Sequence, residues 1–96
     1  MDMEEHAKEV AQILKLIANE NRLMILCALE EREHTVSEIH DWTGGISMAA
    51  LSQHLSQLKL AGLIDNEKKG QNVYYRLKDS RIRAVMGVLK ETYCKT

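Results

Sequence analysis

Apolar residues recur every three or four positions through most of this 96-residue chain, a spacing that gathers them on one side of an α-helix. Five helices are predicted in this way. The apolar positions of the first two are Val10, Ile13, Leu14 and Ile17, then Leu23, Met24, Leu26, Cys27 and Leu29. Asn19 can cap the second helix, because its side-chain oxygen can accept a hydrogen bond from one of the first backbone amides.

The middle of the chain predicts two further helices separated by a tight turn. Thr35 and Glu38 have the spacing of a capping box, which begins a third helix. Its expected inner residues are Val36, Ile39 and Trp42. A Gly-Gly pair at 44–45 ends this helix, because glycine readily adopts the left-handed conformation of a helix stop. Ser47 caps the fourth helix and Gly62 ends it.

Beyond Leu63 the pattern changes from helical spacing to alternation, which is typical of a β-hairpin. The alternating residues that share one face are Val73, Tyr75 and Leu77. Residues 69–72 form the expected turn, and Asp79 can cap a last helix. The apolar positions of that helix are Ile82, Val85, Met86, Leu89 and Tyr93. The predicted order is α-α-α-α-β-β-α, a mainly α fold with a small β-hairpin that is typical of a winged helix-turn-helix.

The outer side of the fourth helix carries hydroxyl and amide side chains, whereas an ordinary surface helix carries lysine and glutamate there. These groups can bond base edges and phosphate oxygens, so the expected partner is double-stranded DNA. Gln53 and His54 are expected at base edges in the major groove, and the hairpin tip suits the minor groove or flanking phosphates. The candidate DNA-binding residues are Ser47, Met48, Ala49, Ser52, Gln53, His54, Gln57, Lys68, Lys69, Gln71 and Asn72.

The net charge of −1 is divided unevenly along the chain. Residues 1–46 contain ten acidic and four basic residues, whereas residues 47–83 contain seven basic and three acidic residues. The positive charge therefore lies on the helix and hairpin that would meet phosphate. This division supports a DNA-binding role and predicts a steep dependence of binding on salt.

The length predicts a single winged-helix domain over residues 1–96. No apolar run approaches the roughly 20 residues that cross a bilayer, and the N-terminal segment is too acidic for a signal peptide. We therefore expect a cytoplasmic protein without a membrane partner, whose two cysteines are thiols. The apolar stripes of the first and last helices predict that they pack together and against a second copy in a homodimer. The alternative is that one monomer buries both stripes.

Four segments together resemble the ArsR/SmtB family of small dimeric winged-helix repressors. The segments are 16–26 (LIANENRLMIL), 50–55 (ALSQHL), 61–64 (AGLI) and 73–77 (VYYRL). The resemblance covers nearly the whole chain. It implies a repressor that binds operator DNA as a homodimer and releases it when an effector binds or modifies the protein.

Within that family, the positions of possible metal ligands distinguish effector classes. One metal-sensing group has a Cys-x-Cys in the third helix, where this chain has Glu-Ile-His-Asp at 38–41. A second group holds zinc with an aspartate and several histidines on the last helix, where this chain has Asp79, Arg81 and no histidine. Zinc needs about four ligands at close range. We therefore predict no metal site and no cofactor.

The two cysteines resemble those of the family's dithiol persulfide- and redox-sensing subgroup, which has one in the second helix and one near the end of the last helix. Cys27 and Cys94 match that placement. The resemblance implies that reactive sulfur species or oxidants link them, directly or through inserted sulfur atoms, and that the link lowers operator affinity. We expect Cys94, which lies beside Lys95, to react first, because nearby cations favour the thiolate.

Other functions stay open at this point. A metal or arsenite ion held by Cys27, Cys94 and a histidine would keep the DNA function with a different effector, and a winged helix with no thiol effector is a further alternative. A protein-binding winged helix is disfavoured because the fourth helix has no acidic residue. An enzyme is disfavoured because no set of catalytic residues has useful spacing. His34 and His40 are expected at the surface, and Trp42 is expected to anchor the core.

Overall fold

The computed structural model describes residues 3–93, and its order of elements confirms the winged helix-turn-helix expected from the sequence pattern. The helices in these residues are α1 (Met3–Ile17), α2 (Glu20–Glu31), α3 (Val36–Thr43), α4 (Met48–Leu60) and α5 (Ser80–Tyr93). The strands are β1 (His34–Thr35), β2 (Ile64–Lys69) and β3 (Asn72–Leu77), which form an antiparallel sheet in the order β1-β3-β2. None of the described helices is long and apolar enough to cross a membrane.

Helices α2, α3 and α4 begin at the predicted capping residues, and α3 ends at the predicted glycine pair. Asn19 and Ser47 each accept a hydrogen bond from the backbone amide three residues further on, at 3.1 and 3.0 Å. Thr35 and Glu38 form the complete capping box: the Thr35 amide donates to the Glu38 carboxylate at 2.8 Å, and the Glu38 amide donates to the Thr35 hydroxyl at 3.3 Å. Gly44 ends α3 in the left-handed conformation, with φ of 69°. These predictions are confirmed.

The two-residue strand β1 has no counterpart in the alternation pattern of the sequence. His34 pairs with Tyr75 and Thr35 pairs with Tyr74 of β3. A strand this short carries no periodic signal, so it becomes evident only when its partner strand is in place. The pairing ties the start of α3 to the hairpin.

His34 and Trp42 do not lie where the sequence pattern puts them. His34 is only 2% exposed, and its Nε2 donates to the Ala28 carbonyl at the end of α2, at 3.0 Å. Trp42 is 37% exposed, and its ring meets the His34 ring edge-on with 6.1 Å between centroids. His40 is half-buried and donates to the Ile46 carbonyl at 2.7 Å. The expectations of two surface histidines and a core tryptophan are therefore wrong. The β1–β3 pairing places His34 in the interior, where Trp42 covers it from outside. The bond to the Ile46 carbonyl holds His40 inward.

The core joins α2 to α5 and the hairpin, while α1 lies largely outside it. The structure describes every residue of α1, and among these residues only Ile17 is buried. The buried residues that form the core cluster are Ile17, Ile25, Leu26, Leu29, Ile39, Leu51, Leu55, Leu58, Leu63, Ile64, Leu77, Ile82 and Met86. The first helix therefore contributes little to the core of a single chain.

An apolar stripe on α1 and α5 stays exposed, and we call it the α1–α5 stripe. Its members are Val10, Leu14, Val85 and Val88, which are 40–63% exposed. A groove of about 140 Å³ runs between the two helices and is lined mainly by apolar side chains. The alternative in which one monomer buries both stripes is therefore wrong.

Candidate DNA-binding surface and cysteine groove

Helix α4 presents most of its predicted contact residues on an exposed surface. Leu51, Leu55 and Leu58 are buried and anchor the inner side of the helix. The exposed predicted residues on the outer side and at the N-terminal end are Ser47, Met48, Ala49, Ser52, Gln53 and Gln57. Because α4 contains no carboxylate, this surface offers hydroxyl and amide groups without repelling phosphate.

His54 is held differently from the other predicted residues of α4. Its ring is half-buried, and its Nδ1 accepts a hydrogen bond from Nε of Arg22 at 3.0 Å. Burial and the charge of Arg22 lower the pKa of His54 below its ordinary value of 6.5. The ring is therefore neutral at pH 7 with its proton on Nε2. Sequence reasoning did not identify Arg22, because the two residues lie 32 positions apart.

The tip of the hairpin exposes Lys68, Gln71 and Asn72, whereas Lys69 already has a partner. The Lys69 Nζ lies 2.6 Å from Glu33 Oε1 in the loop between α2 and β1. This hydrogen bond raises the pKa of Lys69 above its usual value. Glu33 therefore competes with phosphate for the charge of Lys69, although the exposed ammonium keeps donors that Glu33 does not use.

Cys27 faces a groove between α2 and α5, which we call the cysteine groove. Cys27 is half-buried, and the groove has a volume of about 370 Å³. Its apolar walls come from Leu23, Met24, Met86 and Leu89. Tyr93 borders the groove, is 79% exposed and directly precedes Cys94 in the chain. Cys94 itself lies outside the described residues.

Ion pairs fix α5 to the C-terminal end of α2 beside this groove. Lys90 Nζ lies 3.1 Å from Glu30 Oε1 and 2.6 Å from Glu31 Oε2. Arg83 donates to the Glu30 backbone carbonyl at 2.6 Å. The hydrogen bond from Lys90 is the main reason that the pKa of Glu31 is lowered. The two helices that line the cysteine groove are thus connected at one end by charged contacts.

Within residues 3–93, no group of three or more histidine, cysteine, aspartate or glutamate side chains is arranged to hold a metal ion. Asp79 pairs instead with Arg81: the Arg81 Nη2 atom lies 2.9 Å from the Asp79 Oδ2 atom. The Arg81 Nη1 atom also lies 4.0 Å from the Glu9 Oε1 atom. The hydrogen bond from Arg81 is the main cause of the lowered pKa of Asp79. A cation of the chain itself therefore satisfies this carboxylate.

A recognition helix that exposes hydroxyl and amide groups, a helix and turn before it and a β-hairpin after it define a winged helix-turn-helix DNA-binding regulator. The sequence pattern of the arsR family of bacterial regulatory proteins matches residues 19–66. The chain belongs to the ArsR family. Its relatives are transcriptional regulators, so the protein is a regulator and not an enzyme.

Relatives of known structure are similar to almost the whole chain. The transcriptional activator HlyU of Vibrio cholerae is 37% identical over 94 residues, which span 98% of this chain and 86% of HlyU. The structure of reduced HlyU has a TM-score of 0.90 at 38% identity and 97% coverage of each chain. The transcriptional repressor BigR of Xylella fastidiosa has a TM-score of 0.86 at 33% identity, with 99% of this chain and 96% of BigR covered. Mb0332 of Mycobacterium bovis, a homodimeric winged helix-turn-helix DNA-binding domain, has a TM-score of 0.78 at 27% identity, with 97% and 85% covered.

Proposed function

We propose that the protein is a homodimeric repressor that binds double-stranded operator DNA and releases it when reactive sulfur species or oxidants link Cys27 to Cys94. The observation that carries the thiol part is the cysteine groove, which contains Cys27 and is bordered by Tyr93, the residue before Cys94. The placement of the two cysteines resembles that of the family's dithiol sensors. The DNA part rests on the exposed side chains of α4 and the hairpin tip.

The proposed link between the two cysteines is supported by the position of Tyr93 at the border of the cysteine groove. Consecutive Cα atoms are about 3.8 Å apart, and the residue before Cys94 in the chain is Tyr93, which borders the groove. A disulfide needs Cα atoms within about 7 Å, and each inserted sulfur atom extends the reach by up to about 2 Å. A direct or sulfur-extended bridge across the groove is therefore compatible with the position of Tyr93.

The link requires a reagent that accepts two electrons or donates sulfur. When two thiols form a disulfide, they lose two protons and two electrons, which an oxidant such as a peroxide takes up. A persulfide donor instead transfers its outer sulfur atom to one thiolate and leaves as a thiol. The second thiolate then displaces hydrosulfide to give a disulfide, or is joined through the retained sulfur when an oxidant removes two electrons.

The bridge acts on DNA binding through α5. This helix carries Val85 and Val88 of the α1–α5 stripe, which we propose as the dimer interface. Operators of this type of regulator are paired half-sites, so the distance between the two recognition helices decides affinity. A bridge that pulls the end of α5 toward α2 changes that distance and weakens binding.

We propose that the protein represses transcription and does not activate it. Its proposed location is the cytoplasm. Among the relatives, HlyU is a transcriptional activator and BigR is a transcriptional repressor. The resemblance of the sequence to small dimeric repressors favours repression. A bacterial regulator that binds DNA acts in the cytoplasm, where the DNA is.

The test measures operator binding and intact mass on the same samples. The operator is sought in fragments upstream of the protein's own gene and, in parallel, by selection from random duplexes with the reduced protein. Treatment with a persulfide donor or a peroxide is expected to lower affinity about tenfold or more, a usual coupling between two sites. The mass is expected to show a loss of two hydrogen atoms or a gain of sulfur, with a bridge between Cys27 and Cys94.

The single variants Cys27→Ser and Cys94→Ser serve as matched controls. Each is expected to bind the operator when reduced and to keep that affinity after treatment. An equal loss of binding in either variant contradicts the dithiol mechanism. Loss of binding on addition of zinc or arsenite, reversed by a chelator, favours the ion-responsive alternative. Unmodified thiols together with intact binding make the cysteines structural.

A substitution at the exposed side of α4 tests the DNA surface independently of the thiols. Gln53→Ala is expected to weaken operator binding by about 1–3 kcal/mol, because a side chain that bonds a base edge contributes about that much to discrimination. Binding to unrelated duplexes should change far less. Gln12→Ala, at an exposed position on α1, is the control and should bind as the unaltered protein does. An unchanged affinity for Gln53→Ala means that the recognition surface lies elsewhere.

A further inference from the structure

Arg22 joins three helices through a single side chain. Its Nε donates to His54 Nδ1 in α4 at 3.0 Å, and its Nη1 donates to the Leu16 backbone carbonyl near the end of α1 at 2.9 Å. Its backbone amide donates to Asn19, the cap of α2. Both side-chain bonds are partly buried, and hydrogen bonds from a charged donor in such places are stronger than neutral ones.

The guanidinium suits this junction because its donors are rigidly arranged. Arg22 bonds two acceptors on different helices at once, and the planar group keeps the angle between those bonds fixed. A lysine has the same charge, but its single ammonium lacks this fixed fork. The two bonds to α4 and α1 therefore depend on the guanidinium itself and not only on its positive charge.

The bond also fixes the protonation of His54. Because Nδ1 accepts from Arg22, the neutral ring carries its proton on Nε2. Among the described residues, no other group bonds the His54 ring, and Arg22 is the charged group that lowers its pKa. The Nε2–H is thus a donor, suited to acceptors such as guanine N7 and O6 or thymine O4 in the major groove.

Helix α2 presents two functional directions. Arg22 and Cys27 are five residues apart, which is about 140° around an α-helix. Arg22 therefore points toward α1 and α4, while Cys27 lines the cysteine groove against α5. Helix α2 therefore connects the wall of the cysteine groove to the Arg22–His54 bond.

We propose that Arg22 is a positioning residue for DNA recognition, which holds α4 against α1 and α2 through His54 without contacting DNA. The proposal rests on the proposed role of α4 as the recognition helix. It differs from the simplest use of a basic residue beside a DNA surface, which is a direct contact to phosphate. The two roles predict different results for lysine at this position.

The first test observes the hydrogen bond in the unaltered, reduced protein. Ring ¹⁵N–¹H correlation spectra of His54 at mildly alkaline pH should show an unprotonated Nδ1 and a protonated Nε2. The opposite tautomer, or an equal mixture, overturns the proposal. Because this measurement needs neither DNA nor a variant, it tests whether Nδ1 is free to accept the bond even where a substituted chain does not fold.

The second test compares Arg22→Lys with Arg22→Met in operator binding over a range of salt concentrations. Both variants are expected to lose about tenfold in affinity, since a hydrogen bond with a charged group contributes roughly that factor. The slope of affinity against salt should stay unchanged. A direct phosphate contact predicts instead that Arg22→Lys keeps most of the affinity and that Arg22→Met lowers the salt slope by about one. That outcome overturns the proposal.

The third test asks whether Arg22 acts through His54. His54→Leu removes the acceptor, whereas His54→Asn retains an oxygen at the position of Nδ1. Arg22→Met should cost about tenfold in the His54→Asn background and nothing further in the His54→Leu background. Additive losses in both backgrounds overturn the proposal. If the unaltered protein binds no operator, the proposed function fails. If it binds an operator and Gln53→Ala weakens that binding, but the Arg22 and His54 substitutions have additive effects, only the role of Arg22 fails.

Discussion

Leu14→Glu is expected to make the protein monomeric and to lower its operator affinity about a hundredfold or more. Leu14 is 51% exposed in one chain and belongs to the α1–α5 stripe. A carboxylate in the proposed apolar interface has no partner and carries a large desolvation cost. Two recognition helices held in one dimer gain about 10²–10⁴ in affinity over separate ones, and the monomer loses that gain.

The control for this prediction introduces the same charge on the other side of the helix. Gln12→Glu lies two positions away on α1 and is exposed, about 200° around the helix from Leu14. It should remain dimeric and bind the operator. Mass in solution, measured by sedimentation over a range of concentrations, gives the oligomeric state. A Leu14→Glu protein that stays dimeric at micromolar concentration means that the interface is elsewhere.

Leu58→Ala is expected to lower the free energy of unfolding by about 2–5 kcal/mol, the usual cost of a large-to-small substitution in a core. Leu58 is fully buried and anchors α4, whereas Leu60 on the same helix is 84% exposed. Leu60→Ala removes the same atoms and should cost no more than about 0.5 kcal/mol. Comparing the two variants therefore separates the effect of burial on the free energy of unfolding from the effect of removing leucine atoms as such.

Urea unfolding of both variants at one protein concentration measures this difference. The concentration must be matched, because the stability of a dimer depends on it. Operator binding should fall for Leu58→Ala as the recognition helix loses its anchor. Equal losses of stability for the two variants would mean that α4 does not pack by the side that the structure buries.

The exposure of most residues of the proposed recognition surface could be predicted because its signals are local. The amide and hydroxyl positions of α4 follow from helical spacing, and Gln53 is exposed as that spacing requires. Lys69 and His54 are the exceptions, since each is bound by a partner distant in the chain, Glu33 and Arg22 respectively. Helical spacing and alternation relate residues only a few positions apart, so they do not predict the Lys69–Glu33 and His54–Arg22 contacts.

The sequence alone determined the helices, their ends and the hairpin, because caps, glycine stops and apolar spacing act over three or four residues. Its division of charge and its resemblance to the ArsR family also indicated a DNA-binding regulator. Only the tertiary structure decided that β1 pairs with β3, that His34 is buried, and that Cys27 opens into a groove bordered by Tyr93. These features depend on residues far apart in the chain, which meet only when the core has brought their helices and strands together.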